Sequence, residues 1–108
     1  MASTKEYVEY ILQQLSLLDD IQCRPMMGEY LIYYHFKVIG GIYDNRFLIK
    51  NVSSAREHLP NVVYEIPYPG AKEMLLVNII EDQYLMKQLI ESMYDELPMP
   101  KPKKKKIK

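Results

Sequence analysis

Tyr30-Leu31-Ile32-Tyr33-Tyr34-His35-Phe36-Lys37-Val38-Ile39-Gly40-Gly41-Ile42-Tyr43-Asp44-Asn45-Arg46-Phe47-Leu48-Ile49 is rich in β-branched and aromatic residues, which fit the pleated, half-buried surface of a sheet. Asp44-Asn45 supplies a turn, so the run Val38 to Tyr43 should fold back on Arg46-Phe47-Leu48-Ile49. In the run from Tyr30 to Phe36, Tyr30, Ile32, Tyr34 and Phe36 share one face and Leu31, Tyr33 and His35 the other. Neither face is plainly polar, which predicts a strand in the middle of a sheet rather than at its border. The stretch reads as an antiparallel meander.

Upstream, Ile21-Gln22-Cys23-Arg24 is a short strand stopped by Pro25, whose missing N–H suits a strand end or an edge. Before it, Ser3-Thr4-Lys5-Glu6 has capping-box form, with the Ser3 hydroxyl as the expected cap. Val8, Ile11, Leu12, Leu15 and Leu18 then recur at steps of three and four, making a helix with one apolar stripe that Asp19-Asp20 ends. Downstream, Ser53 and Ser54 offer a cap to a short helix over Ala55 to Leu59, closed by Pro60. Val62 to Ile66 and Met74 to Ile79 are two further predicted strands, separated by the turn Pro67-Tyr68-Pro69-Gly70. Glu81-Asp82 places acids at a last helix start, and Tyr84 or Leu85, Leu89, Met93 and Leu97 form its expected stripe to about Glu96, before Pro98. The predicted order is helix, three or four strands, short helix, two strands, long helix. It specifies an α+β fold, a two-layer sandwich with helices on one face of an antiparallel sheet.

With 108 residues, 48% of them hydrophobic, the chain has the length of one domain, assigned to residues 1–97. Cys23 is the single cysteine, so no intramolecular disulfide can form. Lys5, Glu6 and Glu9 occupy the place of a signal-peptide apolar core, and no apolar run approaches the roughly 18 residues of a membrane span. A cytoplasmic protein without membrane contact is expected. The formal net charge of zero hides a division: residues 1–97 hold eight basic against fourteen acidic residues, or −6, and Lys101, Lys103, Lys104, Lys105, Lys106 and Lys108 make residues 98–108 +6. This lysine-rich tail has little apolar surface to bury and is predicted to be disordered. The acidic body repels phosphate backbones, so nucleic-acid contact is expected, if anywhere, from those six lysines; the alternatives are a solubilising tail or a tether on the body.

The segment Arg24-Pro25-Met26-Met27-Gly28-Glu29-Tyr30 gives the remaining candidates. Arg24 and a turn permitted by Gly28 could face an anion or a partner's carboxylate; in the structural alternative Gly28 supplies a positive φ and Arg24 pairs with Glu29 or Asp44. Met26 and Met27 suit either an adaptable groove or core filling. Cys23 beside Arg24 could be a low-pKa thiol, although a lone strand cysteine is usually a small hydrophobe. His35 and His58 lack further ligands at zinc spacing, and Asp19-Asp20 and Glu81-Asp82 lie where helix capping accounts for them. No phosphate loop, His-Glu-x-x-His run or nucleophile elbow occurs. Neither catalysis, a cofactor, a metal nor a small-molecule substrate is expected. The ten tyrosines could stack bases, but the strands carrying them bring few cations, chiefly Lys37, Arg46 and Lys50. They are read instead as core residues with hydroxyls at the rim, or as part of a homodimer surface.

The opening Glu6-Tyr7-Val8-Glu9-Tyr10 helix, Arg24-x-Met26-x-Gly28-x-Tyr30, Tyr43-Asp44-Asn45-Arg46-Phe47-Leu48-Ile49-Lys50 and the Tyr68-Pro69-Gly70 turn stand in one order. Together, over nearly all of residues 3 to 97, they resemble the N-terminal domain of the TfoX/Sxy family of bacterial competence regulators. The resemblance implies a secretion-chaperone-like sandwich and a role in competence or transcription through association with a protein partner. Where this family usually turns at Asp-Gly, the chain has His35-Phe36-Lys37, which calls for another turn type or a longer loop. Full-length members also carry a helical C-terminal domain similar to helix-hairpin-helix modules, and this chain stops where that domain is expected to begin.

Overall fold

In the computed structural model, which describes residues 3–98, the meander becomes β2 (Glu29–Tyr34), β3 (Lys37–Ile42) and β4 (Phe47–Ile49). They follow α1 (Lys5–Gln14) and β1 (Ile21–Met26), and precede α2 (Ser53–His58), β5 (Tyr64–Glu65), β6 (Met74–Leu76), α3 (Gln83–Met93) and a 3₁₀ turn, Tyr94–Glu96. The six strands make one antiparallel sheet in the order β1-β2-β3-β4-β6-β5. β2 therefore has a neighbour on each side, and β1 is an edge. The edge position lets β1 run through Pro25 to Met26 rather than stop before the proline, because a missing donor need not break a ladder there.

Register sorts the side chains into two layers. Cys23, Ile32, Gly40, Ile49, Leu75 and Tyr64 lie opposite one another in a row across the sheet. Ile32, Ile49 and Leu75 of that row, with Phe47, are fully buried against Val8, Ile11 and Leu15 of α1, Ala55 of α2 and Met86, Leu89, Ile90 and Met93 of α3. All three helices thus cover the same face, and each large aliphatic side chain in the layer contributes about 1.5–3 kcal/mol. At Gly40 the strands come too close for a side chain: an added Cβ would lie 2.7 Å from Ile49 Cα. The register shifts beside it, between Ile32 and Tyr33, so that Ile39 bulges into the core.

Each of the three two-residue hairpin turns holds both central residues at positive φ: Met27 (53°) and Gly28 (88°), His35 (47°) and Phe36 (73°), Asp44 (52°) and Asn45 (57°). That is the type I′ signature, whose twist matches the strands it joins. Asp and Asn tolerate it, whereas His35-Phe36 costs about 1–2 kcal/mol per residue. Contacts from elsewhere hold this turn. The His35 ring lies 3.2 Å from Asp19 Oδ1 and 3.3 Å from Asp20 Oδ2, the His35 backbone N–H donates to Asp20 O, and Tyr94 Oη donates to the His35 carbonyl at 2.9 Å. Asp19-Asp20 therefore act as partners of His35 rather than as helix caps.

Other local expectations give way to contacts distant in sequence. Thr4, not Ser3, caps α1, accepting from Tyr7 N. The Ser3 hydroxyl donates to Glu29 Oε1 at 2.7 Å and accepts from Asn45 N, tying the chain start to β2 and the β3–β4 turn. Neither Ser53 nor Ser54 caps α2; the carboxylate of Glu96 does so. Asp82 does cap α3, accepting from Leu85 N, but the buried stripe is Met86, Leu89, Ile90 and Met93, and Tyr84 is 73% exposed. Leu85 is exposed as well, because α3 enters the core one residue later than its apolar spacing suggests. The runs expected at Val62 to Ile66 and Met74 to Ile79 shorten to two and three paired residues. No helix among the described residues is long and apolar enough to cross a membrane.

Candidate functional site

The face of the sheet turned away from the helices has its own row, Arg24, Leu31, Gly41, Leu48 and Leu76. Gly41 leaves the space into which Tyr43 folds, since a Cβ there would lie 2.8 Å from the Tyr43 ring. Burial raises the Tyr43 phenol pKa above its ordinary value, with smaller effects from Tyr68 and the Glu29 charge. The Tyr68 ring lies 6.2 Å from that of Tyr43 and is 54% exposed. Beside this pair the face sinks into a groove of about 400 Å³. Leu31, Val38 and Met74 contribute apolar surface to it, and residues of the Pro67–Glu73 segment, together with Leu97 and Pro98, also line it. A second hollow of about 470 Å³ shares Pro67 and Tyr68 and continues toward Glu29, Asp44 and Arg46.

The charges of this face differ from those of the body. Lys50 follows β4 and, by alternation from Leu48, stands on the outer face, where it lines the groove with Lys72 and Glu73. Arg24, at the edge of the same face, places its guanidinium 5.6 Å from the centre of the Tyr33 ring. None of Arg24, Lys50 and Lys72 has a carboxylate within ion-pair distance among the described residues. Two acids near the face are already engaged: Glu65 by Arg46 at 2.6 Å, and Glu29 by Ser3 and the Asp44 N–H. The remaining carboxylates, apart from Asp44 and Glu73, lie on α1, α2, α3 or the turns at their ends.

Gly28 sits in the β1–β2 turn at φ +88°, a conformation in which glycine avoids a Cβ clash. Arg24 lies two residue pairs from that turn and stacks on Tyr33 instead of pairing with Glu29 or Asp44. Met26 is half-buried and Met27 is 98% exposed at the turn. Burial pushes the Cys23 thiol pKa up, opposite to what a reactive thiolate needs. Among the described residues no three His, Cys, Asp or Glu side chains are placed to hold a metal ion. Lys101, Lys103, Lys104, Lys105, Lys106 and Lys108 lie outside the described residues. Sequence reading missed Lys72, Met74 and Tyr68 as neighbours of Lys50. The available signal was the two-residue alternation that puts Leu48 and Lys50 on one face.

Among known proteins, an uncharacterised 12.7 kDa protein in the trpE 5′ region of Spirochaeta aurantia is 33% identical over 109 residues, an alignment covering 100% of this chain and 95% of the relative. No family model matches the chain. No solved structure matches it significantly.

Proposed function

The chain belongs to the family of the Spirochaeta aurantia 12.7 kDa protein, and from that premise we propose that it is a non-enzymatic, cytoplasmic, TfoX/Sxy-type domain that regulates competence or transcription by associating with another protein. In this reading the two layers are a secretion-chaperone-like sandwich whose helices close one side and whose sheet offers the other. The observation that carries it is the groove on the outer face, with apolar side chains and none of the described helices over them. Leu31, Val38 and Met74 are each partly exposed there, and a partner that covered them would remove apolar surface from water.

A second reading, an accessory protein bound to nucleic acid through the tail lysines, draws on the +6 charge of residues 98–108. One experiment separates the two. The intact chain, a form lacking residues 99–108 and the Met74→Glu variant are used to capture partners from the source cells, with and without nuclease. Protein association predicts a partner that survives nuclease and tail removal and is lost with Met74→Glu. Loss on nuclease treatment or tail removal, with Met74→Glu still binding, selects the second reading.

A further inference from the structure

β1 is a six-residue strand at the border of the sheet, and hydrogen-bond alternation decides what it offers there. The two-residue turn at Met27-Gly28 makes Met26 and Glu29 its closing hydrogen-bonded pair, so Arg24–Leu31 and Gln22–Tyr33 are the next ones. The bond from the His35 backbone N–H to Asp20 O continues the same parity. Ile21, Cys23 and Pro25 therefore turn their backbone groups away from β2, and no backbone group among the described residues bonds them there. Such an edge is a template for another strand. The opposite border offers less: β5 has two residues, and Arg46 holds the chain leaving it through Glu65, Ile66 O and Pro67 O.

We infer that β1 pairs antiparallel with β1 of a second copy of the chain, about a two-fold axis beside Gln22, joining two six-stranded sheets into one. Proline and charge select this register. Ile21 then stands opposite Cys23 of the second copy, and the two exchange both N–H and C=O, leaving Pro25 outside the ladder. Centring the pair on Cys23 would set Ile21 O against Pro25, which has no N–H to donate; centring it on Arg24 would oppose two like charges. The ends of the strand choose a second copy as the occupant. Asp19 and Asp20 precede β1 and Arg24 lies near its far end, so an antiparallel copy sets Arg24 across from Asp20 on both sides of the axis. Arg24 is exposed and has no carboxylate within ion-pair distance among the described residues. Asp20 ends the strand at φ 55°, and the Asp19 side chain beside it is 78% exposed. Both acids contact the His35 ring, but a carboxylate has lone pairs for further donors. On the helix-covered face Ile21 and Cys23 are half-buried at the margin of the core, and the second copy removes their remaining apolar surface from water.

Sedimentation velocity of the full chain, from about 1 μM to about 1 mM, should show a monomer–dimer equilibrium. Arg24→Glu and Asp20→Lys should each weaken it about tenfold or more by setting like charges across the axis, and an equimolar mixture of the two should associate again. A misfolded variant could not show that gain. Gln22 is exposed and makes the directly opposed, non-hydrogen-bonded pair, with Cα atoms about 4.5 Å apart, a separation a disulfide can span. With oxidised glutathione as the electron acceptor, Gln22→Cys in a Cys23→Ser background should therefore link two chains faster than the unaltered chain links through Cys23, which faces Ile21. A monomer at every concentration overturns the inference, as does a dimer indifferent to both charge changes or faster linkage through Cys23. A mixture that fails to associate while both variants keep the far-UV circular dichroism of the parent also overturns it. If Asp20→Lys does not fold, because Asp20 also holds the His35 turn, the Gln22→Cys linkage decides alone.

Discussion

Glu96, in the last turn of the described chain, caps the helix that begins 43 residues earlier at Ser53: its carboxylate accepts from Ser53 Oγ at 2.8 Å and from Ser54 N at 3.0 Å. These bonds favour the charged form and hold the Glu96 carboxyl below its ordinary value of 4.5, with the Ser54 backbone bond as the larger cause. A carboxyl whose pKa is depressed by folding contributes stability that is present above the unfolded pKa and is lost as pH falls through the folded one. Glu96→Gln should therefore lower Tm by a few degrees at pH 7 and flatten the loss of Tm below pH 4.5. Equal acid slopes for the two proteins would show that the bonds are not maintained in solution.

Gly40 and Gly70 should respond very differently to alanine. At Gly40 a Cβ meets backbone of the neighbouring strand, Leu48 O and Ile49 Cα, and neither can move without opening the β3–β4 pair. Gly40→Ala should cost about 3 kcal/mol or more. At Gly70 there is open space but φ is +88°, so the cost is strain alone, about 1 kcal/mol. Urea unfolding of both variants checks the order, and a Gly70→Ala loss as large as that of Gly40→Ala would contradict it.

Lys37 is buried and donates through Nζ to Tyr94 O at 2.9 Å while lying 4.1 Å from the centre of the Tyr94 ring. Lys37→Met retains a linear apolar side chain and removes the charge. Since Leu97 N also donates to Tyr94 O, the carbonyl is not left orphaned, and the expected loss is about 1–2 kcal/mol. An unchanged denaturation midpoint would mean that the ammonium contributes nothing net at this position.

Cys23 should alkylate more slowly than a free thiol at neutral pH, because burial raises its pKa from the ordinary 9.0 and reduces the thiolate fraction. Iodoacetamide rates measured across pH should keep rising through the range in which a free cysteine levels off. A plateau near neutrality would reveal an activating group next to the sulfur.

What could be read from the chain was what depends on neighbours in sequence. The alternation through Tyr30–Ile49 places β2 inside the sheet, Asp44-Asn45 makes the turn, and Val8, Ile11, Leu15 and Leu18 mark the buried side of α1 and its exit. Caps and grooves depended on residues brought together from a distance. Glu96 capping α2, Asp19 and Asp20 holding the His35 turn, and Ser3 serving Glu29 and Asn45 are pairings that no local spacing encodes.

The amino-acid order alone determined the alternation of helix and strand, because apolar period and turn chemistry are properties of adjacent residues. Only the tertiary structure decided which cations share a face. Lys50 and Lys72 are 22 residues apart in the chain and border one groove because β6 pairs with β4 and carries the preceding loop with it. Strand pairing, a non-local choice made by burial of the opposite face, is the physical reason that this groove has its chemistry.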